Sequence, residues 1–211
     1  FSHLSAYDMF SYPLAYAFPL TAISLAFIPV PELDRVFWIS FVASLPLNAI
    51  PFLLYMKAIK ESPLSLTLPY LAFTPVFMIG TGFLLLDEMP DIWGICGIAA
   101  VCIGSYVLNI EAGQRSLFDP LRAMAKEPGS RIMLLVAFIF SFSAVVGKLA
   151  ILHSSVMFFQ MSFFRTLSLV LVLIFLLFGR VSAANLFRMP AKGAVAGLLF
   201  YFHILFHGYA I

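Results

Sequence analysis

Few residues in this 211-residue chain carry chemistry, and those that do recur at helical spacing. Thr67, Tyr70, Thr74 and Thr81 follow a three-four-seven rhythm, and Ser40, Ser44, Asn48 and Tyr55 repeat at four and seven. His203 and His207 lie one turn apart, and Ser141 and Lys148 lie two turns apart. Residues three or four apart share a helix face. Such stripes suit hydrogen bonding to a polar solute. The same hydroxyls can instead bond back to the carbonyl one turn earlier, and Asn48 and the histidines can tie helices together. The i, i+4 histidines match a metal-ligand spacing, but no third ligand accompanies them, so no metal is expected. Arg165 sits deep in an apolar run, with Gln160 five residues before it. It either pairs with a carbonyl or acid inside a bundle or faces an anionic solute. Lys148 is close enough to a helix end to snorkel. An enzyme would need a cluster of histidines, acids or metal ligands, and "DEMPD" (87–91) has no partner histidine nearby. Neither catalytic residues nor a cofactor are expected.

The stripes must be positioned by elements that suit their surroundings. The chain is 63% hydrophobic and 10% charged, against about 45–50% apolar and about 25% charged in soluble domains. Its solvent must be a bilayer. A net charge of +2 gives nucleic-acid binding no support. Cys96 and Cys102 fall within one apolar segment without metal or redox spacing. Seven stretches approach the roughly 20 apolar residues that a spanning helix needs: 11–29, 36–59, 63–86, 91–110, 131–152, 156–178 and 193–211. The fold class expected is an all-α, polytopic membrane bundle. Ser62 before Pro63 reads as an N-cap with proline at the first helical position. In the fourth span, Gly97, Ala100 and Gly104 read as a close-packing face.

Four prolines interrupt the spans that carry the longest stripes: Pro46 and Pro51 in the second, Pro69 and Pro75 in the third. Each removes a helical donor and can kink its helix. In hydrocarbon the freed carbonyls are tolerated only where protein, hydroxyls or cavity water satisfies them. Thr67, Tyr70 and Thr74 are spaced to help, or to leave those carbonyls open to a solute.

The longest connection, 111–130, has a helix start at Asp119-Pro120 and a stop at Pro128-Gly129. Phe118, Leu121 and Met124 would share one face there, as in a short helix lying on the membrane surface; a plain tether is the alternative. Lys57, Lys60, Arg115, Arg122, Lys126, Arg131, Arg180, Arg188 and Lys192 fall on one side of the membrane, and Arg35 and Lys148 on the other. The basic excess marks the cytoplasmic side, so the 111–130 connection is expected in the cytoplasm.

Two weak internal matches point to a repeat. "FLLYMKAI" (52–59) resembles "ILFHGYAI" (204–211), and "MFSYPLAY" (9–16) pairs with "MFFQMSFF" (157–164), at offsets of 152 and 148. The first span then corresponds to the sixth, which makes the repeat five spans long. An odd repeat inverts its second copy, an arrangement recurrent in secondary transporters. The expected whole has ten spans. Residues 1–110 would be most of one repeat without its opening helix, and 111–130 the connection. Residues 131–211 would be the first three helices of the second repeat, with the chain a fragment cut at both ends.

"YMKAIKESPLSLTLPYLAFTPVF" followed by "GFLLLDEMPDIWGICGIAAVCIGSYVLN" resembles the EamA-type drug/metabolite transporter superfamily. Glu88 matches the glutamate of that family's "G-E" pair, while Asp87 replaces its glycine. "VVGKLAILHSSVMFFQMSFFRT" resembles the join between the first two helices of the family's second repeat, with Lys148 and Arg165 at commonly basic positions. The resemblance implies ten helices and solute movement by alternating access through a central cavity. It also implies that the four striped spans line that cavity, with Ser44, Asn48, Tyr55, Thr67, Tyr70, Thr74, Ser141, Lys148, His203 and His207 as its polar residues. The usual family orientation puts the connection between halves outside, opposite to the charge count. A small organic solute and the bilayer of a plasma membrane, of the bacterial inner-membrane kind, are the expected partners. The alternative cargo is a lipid-linked head group, carried by a flippase. The oligomeric state is left open. No acid lies deep in any of the seven spans, so a coupling proton would fall to His203 and His207 or to helices outside this sequence; exchange or facilitated flow would need none.

Overall fold

A computed structural model describes residues 6–107 and 126–210, and among them every regular element is a helix. In chain order these are α1 (Ala6–Phe27), α2 (Arg35–Glu61), α3 (Leu64–Thr67), a 3-10 segment (Leu68–Phe73), α4 (Thr74–Leu86) and α5 (Ile92–Val107). After the connection come α6 (Pro128–Leu152), α7 (Val156–Leu177), the single turn α8 (Ala183–Leu186) and α9 (Pro190–Ala210). Each of the seven expected spans has a helical counterpart. Five of these, α1, α2, Leu64–Leu86, α6 and α7, are long and apolar enough to cross a membrane. α5 is apolar but has only 16 residues, and α9 has 21. Leu84, Trp93, Ile103, Leu177 and Phe206 point outward and exposed, as a protein bathed in lipid requires. The surface helix expected within 111–130 falls largely outside the described residues.

Two compact units form, one from residues 1–41 and 150–211 and the other from 42–149. In the first, α1 packs against α7 and α9. The contact with α9 depends on Gly193 and Gly197, spaced four apart. A Cβ on Gly193 would stand 2.4 Å from the Tyr16 ring, and one on Gly197 would stand 2.7 Å from the Tyr16 carbonyl carbon. Only glycine lets the two backbones approach this closely. Tyr16 then reaches past α9 to donate its hydroxyl to the Leu186 carbonyl at 3.0 Å, and Tyr12 donates to the carbonyl of Asn185. Phe37 and Phe41, at the start of α2, meet Phe158, Phe159 and Phe163 of α7 with ring centroids 6.0–6.3 Å apart. Ser155 caps α7, as its hydroxyl accepts from the Phe158 amide.

In the second unit, Ala58, Tyr70, Met133 and Val136 form a buried cluster, with Tyr55, Leu71, Phe73 and Phe140 packed around it. The start of α6 docks on the end of α2 through Gly129, whose added Cβ would lie 2.6 Å from the Ala58 carbonyl. One sequence expectation changes here. Ser62 does not cap the following helix, whose N-cap is Pro63 without a side-chain bond. Its hydroxyl instead donates to Glu127 at 2.8 Å and accepts from the Gly129 amide at 3.2 Å. Pro128-Gly129 follows the expected stop, with helical Lys126 giving way at Glu127, and it also starts α6, because proline suits the first helical turn, where its missing N–H has no partner to lose.

The fourth-span expectation is also corrected. A Cβ at Gly97 or Gly104 would meet nothing within 4 Å, and α5 buries no residue. α4 ends on Asp87 in the left-handed region, at φ 54° and ψ 32°. That conformation is why glycine is favoured at this place, and aspartate is among the few other residues that adopt it.

Gly97 and Gly197 should therefore respond in opposite ways to the same change. Gly197→Leu should lower stability by at least about 1–3 kcal/mol through overpacking. Gly97→Leu should be neutral or stabilising by up to about 1 kcal/mol, the helix-propensity gain over glycine. Thermal unfolding of both variants in detergent checks this, and equal loss in the two would refute the packing assignment.

Candidate functional site

The third span is broken where its prolines fall. α-Helix gives way to 3-10 helix over Leu68–Phe73 and resumes at Thr74, with Pro69 near the start of the 3-10 segment and Pro75 near the start of α4. Proline cannot donate to the carbonyl four residues before it, and the tighter i→i+3 pattern supplies substitutes. The Thr74 amide thus bonds the Leu71 carbonyl. Neighbouring helices supply three more donors. Ser130 of α6 donates to the Leu66 carbonyl at 2.9 Å, and Ser105 of α5 donates to the Pro69 carbonyl at 2.9 Å. Cys102, also of α5, donates to the Ala72 carbonyl at 3.7 Å. None of these three was singled out for a site in the sequence. Their only sequence signal was a small polar residue inside an apolar helix facing a proline-rich one.

Around the break the polar residues divide into two groups. Thr67 is buried and bonds back to Pro63 and Leu64 at 3.2 and 3.3 Å. Thr81 donates to Phe77 at 3.2 Å and approaches the Ser141 carbonyl at 3.5 Å, while Ser141 bonds back to Phe138 at 2.7 Å. These hydroxyls are occupied by helix carbonyls. The hydroxyls of Tyr55, Tyr70 and Thr74, by contrast, have no hydrogen bond among the described residues. Tyr55 and Tyr70 belong to one cluster. Asn48 donates its amide to the Ser44 carbonyl at 2.9 Å and to the Ser143 hydroxyl, which leaves its carbonyl oxygen as an acceptor. Ser44 is buried. Pro46 and Pro51 lie inside a continuous α2.

Lys148 is half-exposed and paired with Glu88 at the turn that follows α4. All of these residues belong to the unit 42–149. His203 and His207 belong to the other unit and are exposed on α9, their rings 6.0 Å apart. The buried amide of Gln160 stands 3.1 Å from His207 Nδ1. Gln160 therefore serves His207 and not Arg165. Arg165 is exposed midway along α7, its guanidinium 5.8 Å from the Phe18 ring centre. Among the described residues no three His, Cys, Asp or Glu side chains converge as a metal site would require.

The profile of the EamA-like transporter family matches residues 1–110, which include the broken third span and the Asp87-Glu88 turn. The chain belongs to that family. No curated protein and no solved structure matches it. Membership makes this a multi-pass membrane protein of a transporter family, and its apolar helices agree.

One further feature of this EamA-like chain lies outside its spans. An open cavity of about 480 Å³ is lined by Pro31, Glu32, Leu33, Asp34, Leu152, His153 and Ser154. Asp34 caps α2 by accepting from the Phe37 amide at 2.8 Å, and its second oxygen meets His153 Nδ1 at 2.7 Å. The Phe37 amide holds the Asp34 carboxyl below its ordinary 3.8; burial opposes it, and the hydrogen bond and charge of His153 add smaller pulls in the lowering direction.

A depressed carboxyl pKa stabilises the fold above the unfolded value and loses that contribution as pH falls through the folded value. Asp34→Asn should therefore unfold at a lower temperature than the parent at pH 7, with the gap closing as pH drops below 3.8. Fluorescence of Trp38, which packs edge-on to Phe37 at 5.3 Å, reports the transition. A gap that stays constant down to pH 3 would mean that Asp34 acts without its charge.

Proposed function

We propose that this protein is a secondary transporter that moves a small organic metabolite by alternating access. The observation that carries the reading is the broken third span within an EamA-like sequence. A helix that unwinds in hydrocarbon and has its carbonyls held by neighbouring hydroxyls is the kind of segment from which transporters build solute sites. The solute-facing groups in this reading are Asn48, Tyr55, Tyr70 and Thr74: Tyr70 and Thr74 lie on or beside the break, Tyr55 packs with Tyr70, and Asn48 stands beside Ser143 of α6. Ser44, Thr67 and Ser141 shape the same wall from behind, and Pro46, Pro51, Pro69 and Pro75 set its bends. Lys148 guards the end of the path through its pair with Glu88. His203 and His207, polar residues of the other unit, are carried into this reading by the family resemblance alone.

The repeat organisation proposed is two inverted five-helix halves, with residues 1–110 in the first and 131–211 in the second. The membrane is a plasma membrane, of the bacterial inner-membrane kind, and the Lys and Arg distribution supports a cytoplasmic 111–130 connection. A lipid-linked head group is the alternative cargo.

Reconstituted protein should take up solute in proteoliposomes, and Asn48→Ala, Tyr70→Ala and Thr74→Val should each reduce that uptake at least several-fold at unchanged folded yield. Unchanged uptake in all three would sink the site. Flipping of a labelled lipid with no solute uptake would favour the alternative cargo. Orientation has its own test. Ser116→Cys should resist an impermeant maleimide in intact cells and react after permeabilisation; labelling in intact cells would reverse the topology.

A further inference from the structure

Apart from Arg165, the described lysines and arginines lie near helix ends or in loops. Lys148 pairs with Glu88 and Lys57 with Glu61. Arg165 is different. It is the tenth of the 22 residues of α7, which places it about 14 Å from the nearer helix end at 1.5 Å per residue. That is farther than its side chain can snorkel. Every described carboxylate lies in a loop or at a helix end, and among the described residues Arg165 forms no ion pair. Its recorded neighbour is the Phe18 ring, 5.8 Å away.

A ring beneath a guanidinium engages the face of the ion and leaves its in-plane N–H donors free. Those donors form a fork that matches the two oxygens of a carboxylate or phosphate. A cation held in hydrocarbon without a protein partner, and with its fork open, fits a site that is completed by an oxyanion. Gln160 does not fill the fork: its amide nitrogen meets His207, and no hydrogen bond joins its carbonyl oxygen to Arg165.

We propose that Arg165, backed by Phe18, is the counter-ion for an oxyanion carried by the transported solute, which places that solute among carboxylates or phosphate esters. This rests on the transporter reading above and adds the charge of the cargo to it. A phospholipid head group has the same chemistry, but the depth of Arg165 along α7 favours a solute that enters the protein.

The test uses the full chain in phosphatidylcholine vesicles on a solid-supported membrane, pulsed with short carboxylates, phosphate monoesters, neutral alcohols and primary amines of matched size. Oxyanions should give protein-dependent currents and amines none. Arg165→Leu should lower the oxyanion response at least tenfold, Arg165→Lys should retain part of it, and Arg165→Leu should fold as well as the parent or better. Four results would overturn the proposal. The first is an oxyanion response untouched by Arg165→Leu. The second is a response to amines or alcohols without one to oxyanions. The third is loss of folded Arg165→Leu with rescue by Arg165→Lys, the mark of a structural ion pair. The fourth is inhibition by added phosphatidylglycerol that vanishes in Arg165→Leu, the mark of a head-group site. Failure of the transporter reading looks different, since then no solute of any charge moves, and the inference falls with it.

Discussion

A carbonyl that loses its helical N–H inside hydrocarbon must find another donor, and much of the second unit is arranged around that requirement. Pro69 and Pro75 remove two donors from one span within seven residues. The backbone responds by tightening to 3-10 geometry over Leu68–Phe73, where the Thr74 amide serves the Leu71 carbonyl, and Ser130, Ser105 and Cys102 bond the nearby carbonyls of Leu66, Pro69 and Ala72 from α6 and α5. The packing of α5 and α6 against the broken span is therefore specified by hydrogen bonds as well as by apolar contact. Lipid gives little reward for burying one apolar surface on another, so directional bonds carry more of the register than they would in water.

How much of this could be read from the sequence depends on the range of the interaction. The spans were legible because apolar length is a local property, and the prolines were legible because their effect falls on residues four positions away. Thr67, Thr81 and Ser141 resolved toward the alternative open in the sequence, bonding to carbonyls of their own helices. The partners of the break were not legible. Nothing local to Ser105 or Cys102 says that the next helix presents them to Pro69 and Ala72, and nothing local to Asn48 points to Ser143. Gln160 is a sharper case. It lies five residues from Arg165, nearly one and a half turns, and its amide faces α9.

The glycines make the same point from the packing side. Gly97 and Gly104 in α5, and Gly193 and Gly197 in α9, all look like small-residue faces when only spacing is considered. In the fold the first pair faces open space, while the second is pressed against Tyr16. Spacing reports which residues share a face, not whether another backbone arrives there. Tyr16 explains the difference, because a tyrosine that donates to Leu186 is held with its ring across the path of α9. The aromatic residue and the two glycines are one device, and each half is uninformative alone.

Charge placement follows a simpler rule with a consequence for mechanism. The described carboxylates stay at helix ends or in loops, and Asp34, Asp91 and Glu88 each secure a turn or cap there. The interior of the second unit is left with neutral donors: hydroxyls, a thiol and one amide. Neutral hydrogen bonds to carbonyls can exchange partners without exposing a bare charge to lipid. Under the proposed alternating-access function, that makes the 3-10 segment the place where a helix can re-form or loosen its bonds during a cycle. α2 carries two prolines and remains one continuous helix. Between α2 and the third span, the one already unwound is the better candidate for the moving part.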